Sequence, residues 1–209
     1  MRILVVDDHP LFRRGIVQVL IAEFSNGLIG EASNAAEALA SVWSGDWQAV
    51  VLDISLPGRS GLELLKDIKD ARPRLPVLIL STYPEAQFAT RVLRSGASGY
   101  LTKDSPPEVL IQALRRIVAG GKYISHTVAE HLASEIGLDI TKPIHDLLSD
   151  REYDVMLRIA AGEPVGEIAK VLYLSAKTVS TYRSRILEKT GMKSNADLTH
   201  YAIRNGLIK

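Results

Sequence analysis

Four short apolar runs in this chain lead directly into residues that can handle phosphate and a hard cation. Asp7 and Asp8 follow Ile3–Val6, Asp53 follows Ala49–Leu52, Ser81 and Thr82 follow Val77–Leu80, and Lys103 stands just past Ser98–Leu101. If these runs are parallel strands, their carboxyl ends meet along one edge, where open α/β sheets bind ligands. Three carboxylates, a hydroxyl and an ammonium then share one crevice. Like charges raise one another's pKa, so three close carboxylates cannot all ionise without a cation. A hard divalent ion, Mg²⁺ or Mn²⁺, answers this because it takes oxygen ligands and leaves positions open for phosphate oxygens. The chemistry that follows is nucleophilic: one carboxylate attacks a phosphoryl group while a lysine and a hydroxyl hold the product. Asp53 stands alone at its strand end and is the nucleophile, which leaves Asp7 and Asp8 as metal ligands. Strand-end aspartates also serve as plain helix caps, but four loops carrying Asp-Asp, Asp, Ser and Lys together are much more specific than any one of them.

The elements that must position these residues are legible as alternating patterns. Strands read as Ile3–Val6, Leu28–Ala32, Ala49–Leu52, Val77–Leu80 and Ser98–Leu101, with amphipathic helical stretches between them. Ser60-Gly-Leu-Glu63 and Ser105-Pro-Pro-Glu108 have the spacing of capping boxes, the second with a proline just inside the helix. Five βα repeats imply a parallel sheet with helices on both faces. After Gly120-Gly121 the pattern changes: residues 125–136 have helical character, and Gly137 to Asp146 reads as a linker. From Leu148 onward there are only helical segments. Ser149-Asp-Arg-Glu152 opens the first, which stops at Gly162; Pro164 to Leu172 forms a short second; Ser175 caps a third reaching Thr190; and Ser194-Asn-Ala-Asp197 starts a fourth ending at Gly206.

Composition narrows the classes. The chain has 209 residues, 46% hydrophobic and 23% charged, which suits two globular domains. It has no cysteine, which excludes disulfides and thiolate metal sites and fits a reducing compartment. No apolar stretch approaches the ~18 residues a membrane span needs, and the apolar run after Met1-Arg2 is too short for a signal peptide. The expectation is a cytoplasmic protein without membrane contact. The net charge of +1 conceals a local excess: within 174–193, Lys177, Arg183, Arg185, Lys189 and Lys193 oppose Glu188 alone. Such a segment suits an anionic partner.

Residues 1–121 resemble the receiver domain of two-component response regulators. The resemblance rests on Val5-Val6-Asp7-Asp8-His9-Pro10, Leu52-Asp53-Ile54-Ser55-Leu56-Pro57-Gly58 and Gly99-Tyr100-Leu101-Thr102-Lys103-Asp104. It implies a flavodoxin-like, doubly wound five-stranded parallel sheet of order 2-1-3-4-5. By position it makes Asp53 the phosphorylation site, and it gives the metal to Asp7, Asp8 and Asp53 with the backbone carbonyl of Ser55. Ser81 and Lys103 would contact the phosphoryl group, and Tyr100 matches the aromatic that such domains swing inward on activation. Thr82 is bulkier than the alanine or glycine frequent at its place, which bears on how long the phosphoryl group survives.

Residues 148–209 resemble the LuxR-type helix-turn-helix of the NarL/FixJ family, through Leu148-Ser-Asp-Arg-Glu152, Glu167-Ile-Ala169, Leu174-Ser175, Lys177-Thr-Val179, Ile186-Leu-Glu-Lys189 and Asn205-Gly-Leu-Ile208. Residues 122–147 would be a linker containing a helix. In the third helix Val179, Tyr182 and Ile186 form a packing face at helical spacing. Carried over by position, Ser180, Thr181 and Ser184 would face base edges, and Lys177, Thr178, Arg183, Arg185 and Lys189 would hold phosphates. Many members carry lysine where Ser180 and Ser184 stand, and hydroxyls bond to several bases, so the target sequence is not readable. The implied partners are a sensor histidine kinase, double-stranded promoter DNA and a second copy of the chain when phosphorylated, with helix Ser194–Asn205 as the dimer contact; RNA polymerase is among the partners this allows. The chain would not be an enzyme, apart from taking phosphate onto Asp53 and slowly losing it. A rival reading is an Asp-nucleophile phosphatase, but such enzymes carry a second acid two residues after the nucleophile, where Ser55 stands. A helical domain binding protein or RNA is the other alternative. The five histidines, His9, His126, His131, His145 and His200, lack metal or kinase spacing and read as structural or surface residues.

Overall fold

A computed structural model describes residues 1–126, 128–130 and 143–208, so part of the 122–147 segment, including residues 131–142, lies outside the described residues. The chain divides into two units, Met1–His131 and Leu132–Lys209.

The first unit alternates β1 (Arg2–Val6), α1 (Pro10–Glu23), β2 (Leu28–Ala32), α2 (Ala35–Ser44), β3 (Ala49–Asp53), α3 (Gly61–Ala71), β4 (Val77–Ser81), α4 (Glu85–Arg94), β5 (Gly99–Thr102) and α5 (Pro107–Val118). The strands form one parallel sheet in the order β2-β1-β3-β4-β5, the order expected from the sequence. β3 and β4 are buried at every residue because helices cover both faces, which is why their sequences are continuously apolar. Ile3, Val5, Val51, Leu78 and Leu80 on one face pack with Ile16, Leu20, Leu114 and Ile117 of α1 and α5.

Register sets the site. Val6 pairs with Leu52, so the next residues, Asp7 and Asp53, stand level, and Asp53 itself pairs with Leu80, the residue before Ser81. The ladder runs through Asp53, Ser81 and Thr102, one residue further than the apolar runs alone indicate. The α3 box forms as expected, Ser60 accepting the Leu62 N–H and Glu63 reaching the Ser60 N–H. The Ser105 box does not form. Pro106 precedes another proline and is pushed out of helical conformation, so α5 starts at Pro107 with Pro106 as an N-cap that offers no side-chain bond. The Ser105 hydroxyl lies instead 3.2 Å from that of Thr102. Beyond α5, the Tyr123 N–H donates to the Ser98 carbonyl at 2.9 Å and bridges the β5 edge.

The second unit is helical among its described residues: a 3₁₀ turn (Ile144–Leu147), then α6 (Asp150–Ala160), α7 (Val165–Val171), α8 (Ala176–Thr190) and α9 (Asn195–Arg204). Ser149 with Glu152 and Ser194 with Asp197 form capping boxes at the two helix starts expected there, and Ser175 accepts the Thr178 N–H at the start of α8. Ile168, Val179, Ile186, Leu198 and Ala202 are buried and form the centre of this unit. The 3₁₀ turn is held by His145, whose Nδ1 lies 2.8 Å from the Tyr201 hydroxyl. No helix among the described residues is long and apolar enough to cross a membrane.

Candidate functional site

Asp7 and Asp53 end up side by side and nearly sealed, 2% and 1% exposed. Lys103, just past β5, places its Nζ 2.7 Å from Oδ2 of both, and the Phe12 ring of α1 lies under that ammonium at 4.6 Å. The other oxygens are held by backbone: Asp53 Oδ1 accepts the Ser55 N–H at 2.9 Å, and Asp7 Oδ1 accepts the His9 N–H at 2.7 Å. The Asp7 carbonyl in turn accepts from Arg13. Burial pushes the Asp53 carboxyl above its usual range, although Lys103 and the Ser55 N–H pull the other way. For Lys103 burial works against the charge, but Asp53 and Asp7 outweigh it and its pKa is raised. The ammonium therefore stays charged where the carboxylates need it.

Ligand atoms of Asp7, Asp8, Asp53 and His9 lie within 4.8 Å of one another. Three carboxylates at that spacing are the oxygen-rich donor set a hard divalent cation takes, so the residues fit one. His9 was read from the sequence as structural or surface. It is exposed, yet its Nδ1 is 3.0 Å from Asp8 Oδ1 and 4.0 Å from Asp53 Oδ2. The turn from β1 into α1 brings it there, and no residue spacing announces that. Ser55 stands in the loop beside Asp53 through its N–H.

Ser81 and Tyr100 form a second cluster at the end of β4. Ser81 is fully buried and its hydroxyl accepts the Tyr83 N–H at 3.1 Å. The Tyr100 phenol is 2% exposed and donates to the Tyr83 carbonyl at 2.7 Å. Burial raises its pKa strongly, with a bond to Ser81 acting against the rise. Thr82 is exposed and lines an open cavity of about 670 Å³ with Pro84, Glu85, Thr102, Lys103 and Asp104. Lys103 is thus shared between the carboxylates and this cleft.

In the second unit α8 presents a polar surface. Lys177, Ser180, Thr181, Ser184 and Arg185 are exposed, whereas Val179 and Ile186 are buried and Tyr182 is half-buried. The Thr181 and Ser184 hydroxyls donate to the carbonyls of Lys177 and Ser180, one turn back. The Thr178 hydroxyl lies 2.7 Å from that of Ser175. Two of the cations assigned to phosphates already have protein partners. Arg183 Nε donates to Asn195 at 2.6 Å, and Lys189 Nζ to Glu152 at 2.7 Å. Burial pushes the Glu152 carboxyl up, but bonds from Lys189 and Ser149 prevail and hold it below the usual range.

Residues 3–115 match the model of the response regulator receiver domain, and residues 146–202 match that of bacterial regulatory proteins of the luxR family. The response regulator UvrY of Escherichia coli K12 is 35% identical over 208 residues, covering 99% of this chain and 95% of UvrY. The response regulator GacA of Pseudomonas protegens is 36% identical over 208 residues, covering 100% of this chain and 98% of GacA. This chain belongs to the two-component response regulators. Its helical unit is of the LuxR type, which places it in the NarL/FixJ branch. Among solved structures, RcsB of Salmonella enterica serovar Typhimurium, bound to promoter rprA in the presence of the phosphomimetic BeF₃⁻, is 26% identical with a TM-score of 0.62, covering 96% of this chain and 98% of RcsB.

One positioning residue of this response regulator carried no sequence signal beyond its place after a cap. Gly61, the first residue of α3, donates its N–H to the Ile54 carbonyl, and a Cβ there would collide with the Asp53 carbonyl and meet Ile54 Cα at 2.6 Å. Backbone on backbone cannot yield cheaply, so Gly61→Ala must shift the loop that carries Asp53. A misplacement near 1 Å costs on the order of a hundredfold in rate. Phosphoryl uptake from acetyl phosphate is expected to slow by about that factor in Gly61→Ala, as read by label incorporation; an unchanged rate would remove Gly61 from the account.

Proposed function

We propose that Asp53 accepts a phosphoryl group from the phosphohistidine of a sensor kinase, and that its occupancy governs how tightly α8 holds promoter DNA. The observation that carries this reading is the Lys103 ammonium at 2.7 Å from both Asp7 and Asp53. It gives one buried carboxylate a charge-stabilised crevice that a bare strand-end cap would not have. An Asp53 carboxylate oxygen forms the new P–O bond as the P–N bond of the donor breaks, and the donor imidazole leaves with the electron pair and takes a proton. Asp7, Asp8 and Asp53 with the Ser55 carbonyl would hold Mg²⁺ or Mn²⁺, which neutralises phosphoryl oxygens when bound. Lys103 then contacts the product, and Ser81 has to turn from Tyr83 to reach it. Thr82 at the mouth of the cleft sets how slowly water removes the group.

Lys177, Thr178, Arg185 and the free faces of Arg183 and Lys189 hold phosphates in this reading, while Ser180, Thr181 and Ser184 face bases. The promoter complex of RcsB supports the nucleic-acid assignment. Pairing through α9, where Ile203 is 53% exposed, would let two copies read two half-sites. The compartment is the cytoplasm, and RNA polymerase is the expected downstream contact. Binding of the full chain to duplex DNA, followed by fluorescence anisotropy across a salt series, tests the α8 assignment. Lys177→Ala is expected to weaken binding and to reduce the salt slope by about 1; an unchanged slope and affinity would move the interface elsewhere.

A further inference from the structure

β1 and β2 separate where the acidic residues begin. The two strands pair as far as Val6 and Ala32, and the Asp7 N–H still donates to the Ala32 carbonyl at 3.2 Å. The chain after β2 then leaves the ladder, the Ser33 N–H turning to the Glu37 carboxylate at 2.7 Å. The Asp7 carbonyl takes its hydrogen bond from a side chain instead, the Arg13 guanidinium of α1. The same guanidinium donates through Nε to Glu31 Oε2 at 3.0 Å, so Arg13 ties the end of β1 to β2.

That carbonyl matters to the site because it belongs to the planar peptide whose N–H is that of Asp8. Its direction sets how the chain passes from the first acidic residue to the second. The Asp7 carboxylate is fixed by the His9 N–H and Lys103, and Arg13 fixes the peptide that carries the chain on to Asp8. Arginine suits this task. Its side chain here is 15% exposed, and the planar guanidinium presents Nε–H and Nη1–H in a rigid fork that meets two acceptors at a set angle. A plain ion pair between α1 and β2 would account for Glu31 but not for the carbonyl.

We infer that Arg13 is a positioning residue for the divalent cation: braced by Glu31, it sets the Asp7–Asp8 peptide and through it the spacing of the two carboxylates that would hold Mg²⁺. The inference rests on the reading of Asp7, Asp8 and Asp53 as the metal site. Groups that orient metal ligands without touching the metal are worth roughly 10- to 100-fold in affinity. Asp53 is held separately, by the Ser55 N–H and Lys103, so the acceptor oxygen keeps its place without Arg13.

The test measures Mg²⁺ binding to the full chain by calorimetry, without phosphodonor, in the double variant Arg13→Ala, Glu31→Ala and in Arg13→Lys. Removing the guanidinium alone would also take a positive charge away from three carboxylates, which by itself favours the cation; removing both partners leaves the net charge unchanged. The double variant is expected to bind Mg²⁺ about tenfold more weakly. Arg13→Lys keeps the charge but not the fork and should lose roughly threefold. Label uptake from acetyl phosphate supplies a readout that a merely loosened fold would not give. The Mg²⁺ concentration for half-maximal uptake should rise about tenfold in the double variant, while the rate at saturating Mg²⁺ stays at the wild-type value. Wild-type Mg²⁺ affinity in the folded double variant overturns the inference, and so does a lowered plateau rate with unchanged Mg²⁺ dependence. If that variant does not fold, Arg13→Lys decides by the same calorimetry, weaker binding supporting the inference and wild-type binding overturning it. Uptake by the wild-type chain that needs no divalent cation, with no heat of Mg²⁺ binding, overturns the metal reading itself.

Discussion

Asp53→Asn is expected to fold, to keep its basal DNA affinity, and to take up no phosphoryl group. The amide is nearly isosteric with the carboxylate, so the buried position between Ser55 and Lys103 is filled as before. It offers no anionic oxygen to attack phosphorus, and no acyl phosphate can form. Lys103 keeps Asp7 as a partner at 2.7 Å, which limits the structural cost. With acetyl phosphate as donor, hydroxylamine-sensitive label should fall to background, and donor should no longer change the affinity for DNA. Label surviving at wild-type level in this variant would place the acceptor on another residue.

Lys103→Gln separates the two jobs assigned to the ammonium. Without it, three carboxylates remain in a pocket where Asp7 and Asp53 are nearly sealed from water, and a divalent cation loses its competitor. Mg²⁺ is expected to bind about tenfold more tightly by calorimetry, a gain of about 1.4 kcal/mol, well within what removal of one charge at hydrogen-bond distance can supply. The acceptor oxygen is still present, so slow uptake should persist. What should disappear is the response: without the ammonium proposed to contact the phosphoryl group, donor treatment is expected to leave DNA affinity at its resting value. Unchanged Mg²⁺ affinity together with an intact donor response would show that Lys103 does neither job.

Much of this architecture was legible because the strands advertise themselves. Runs such as Val77–Leu80 are apolar throughout, and caps such as Ser60 and Ser149 mark the helix starts that follow. The failure at Ser105 was local: the box spacing was right, but consecutive prolines moved the helix start by one residue. The carboxylates and Lys103 could be placed at strand ends, whereas the contact of one ammonium with both Asp7 and Asp53 depends on residues 50 and more positions apart. His9 and Phe12 join the crevice only through the turn into α1, a matter of backbone path rather than residue pattern. Lys189 shows the same limit in the helical unit. Its charge was visible, but its bond to Glu152, 37 residues earlier, was not.

The central claim is a linkage between one buried carboxylate and DNA affinity, and dissociation constants for a promoter duplex measure it most directly. They should be determined for the wild-type chain at one salt concentration, with and without stoichiometric label on Asp53. Coupling of this kind spans about 5- to 150-fold, and at least fivefold tighter binding by the labelled form is expected. Equal constants for the two forms, with label on Asp53 confirmed by mass spectrometry, would contradict the account.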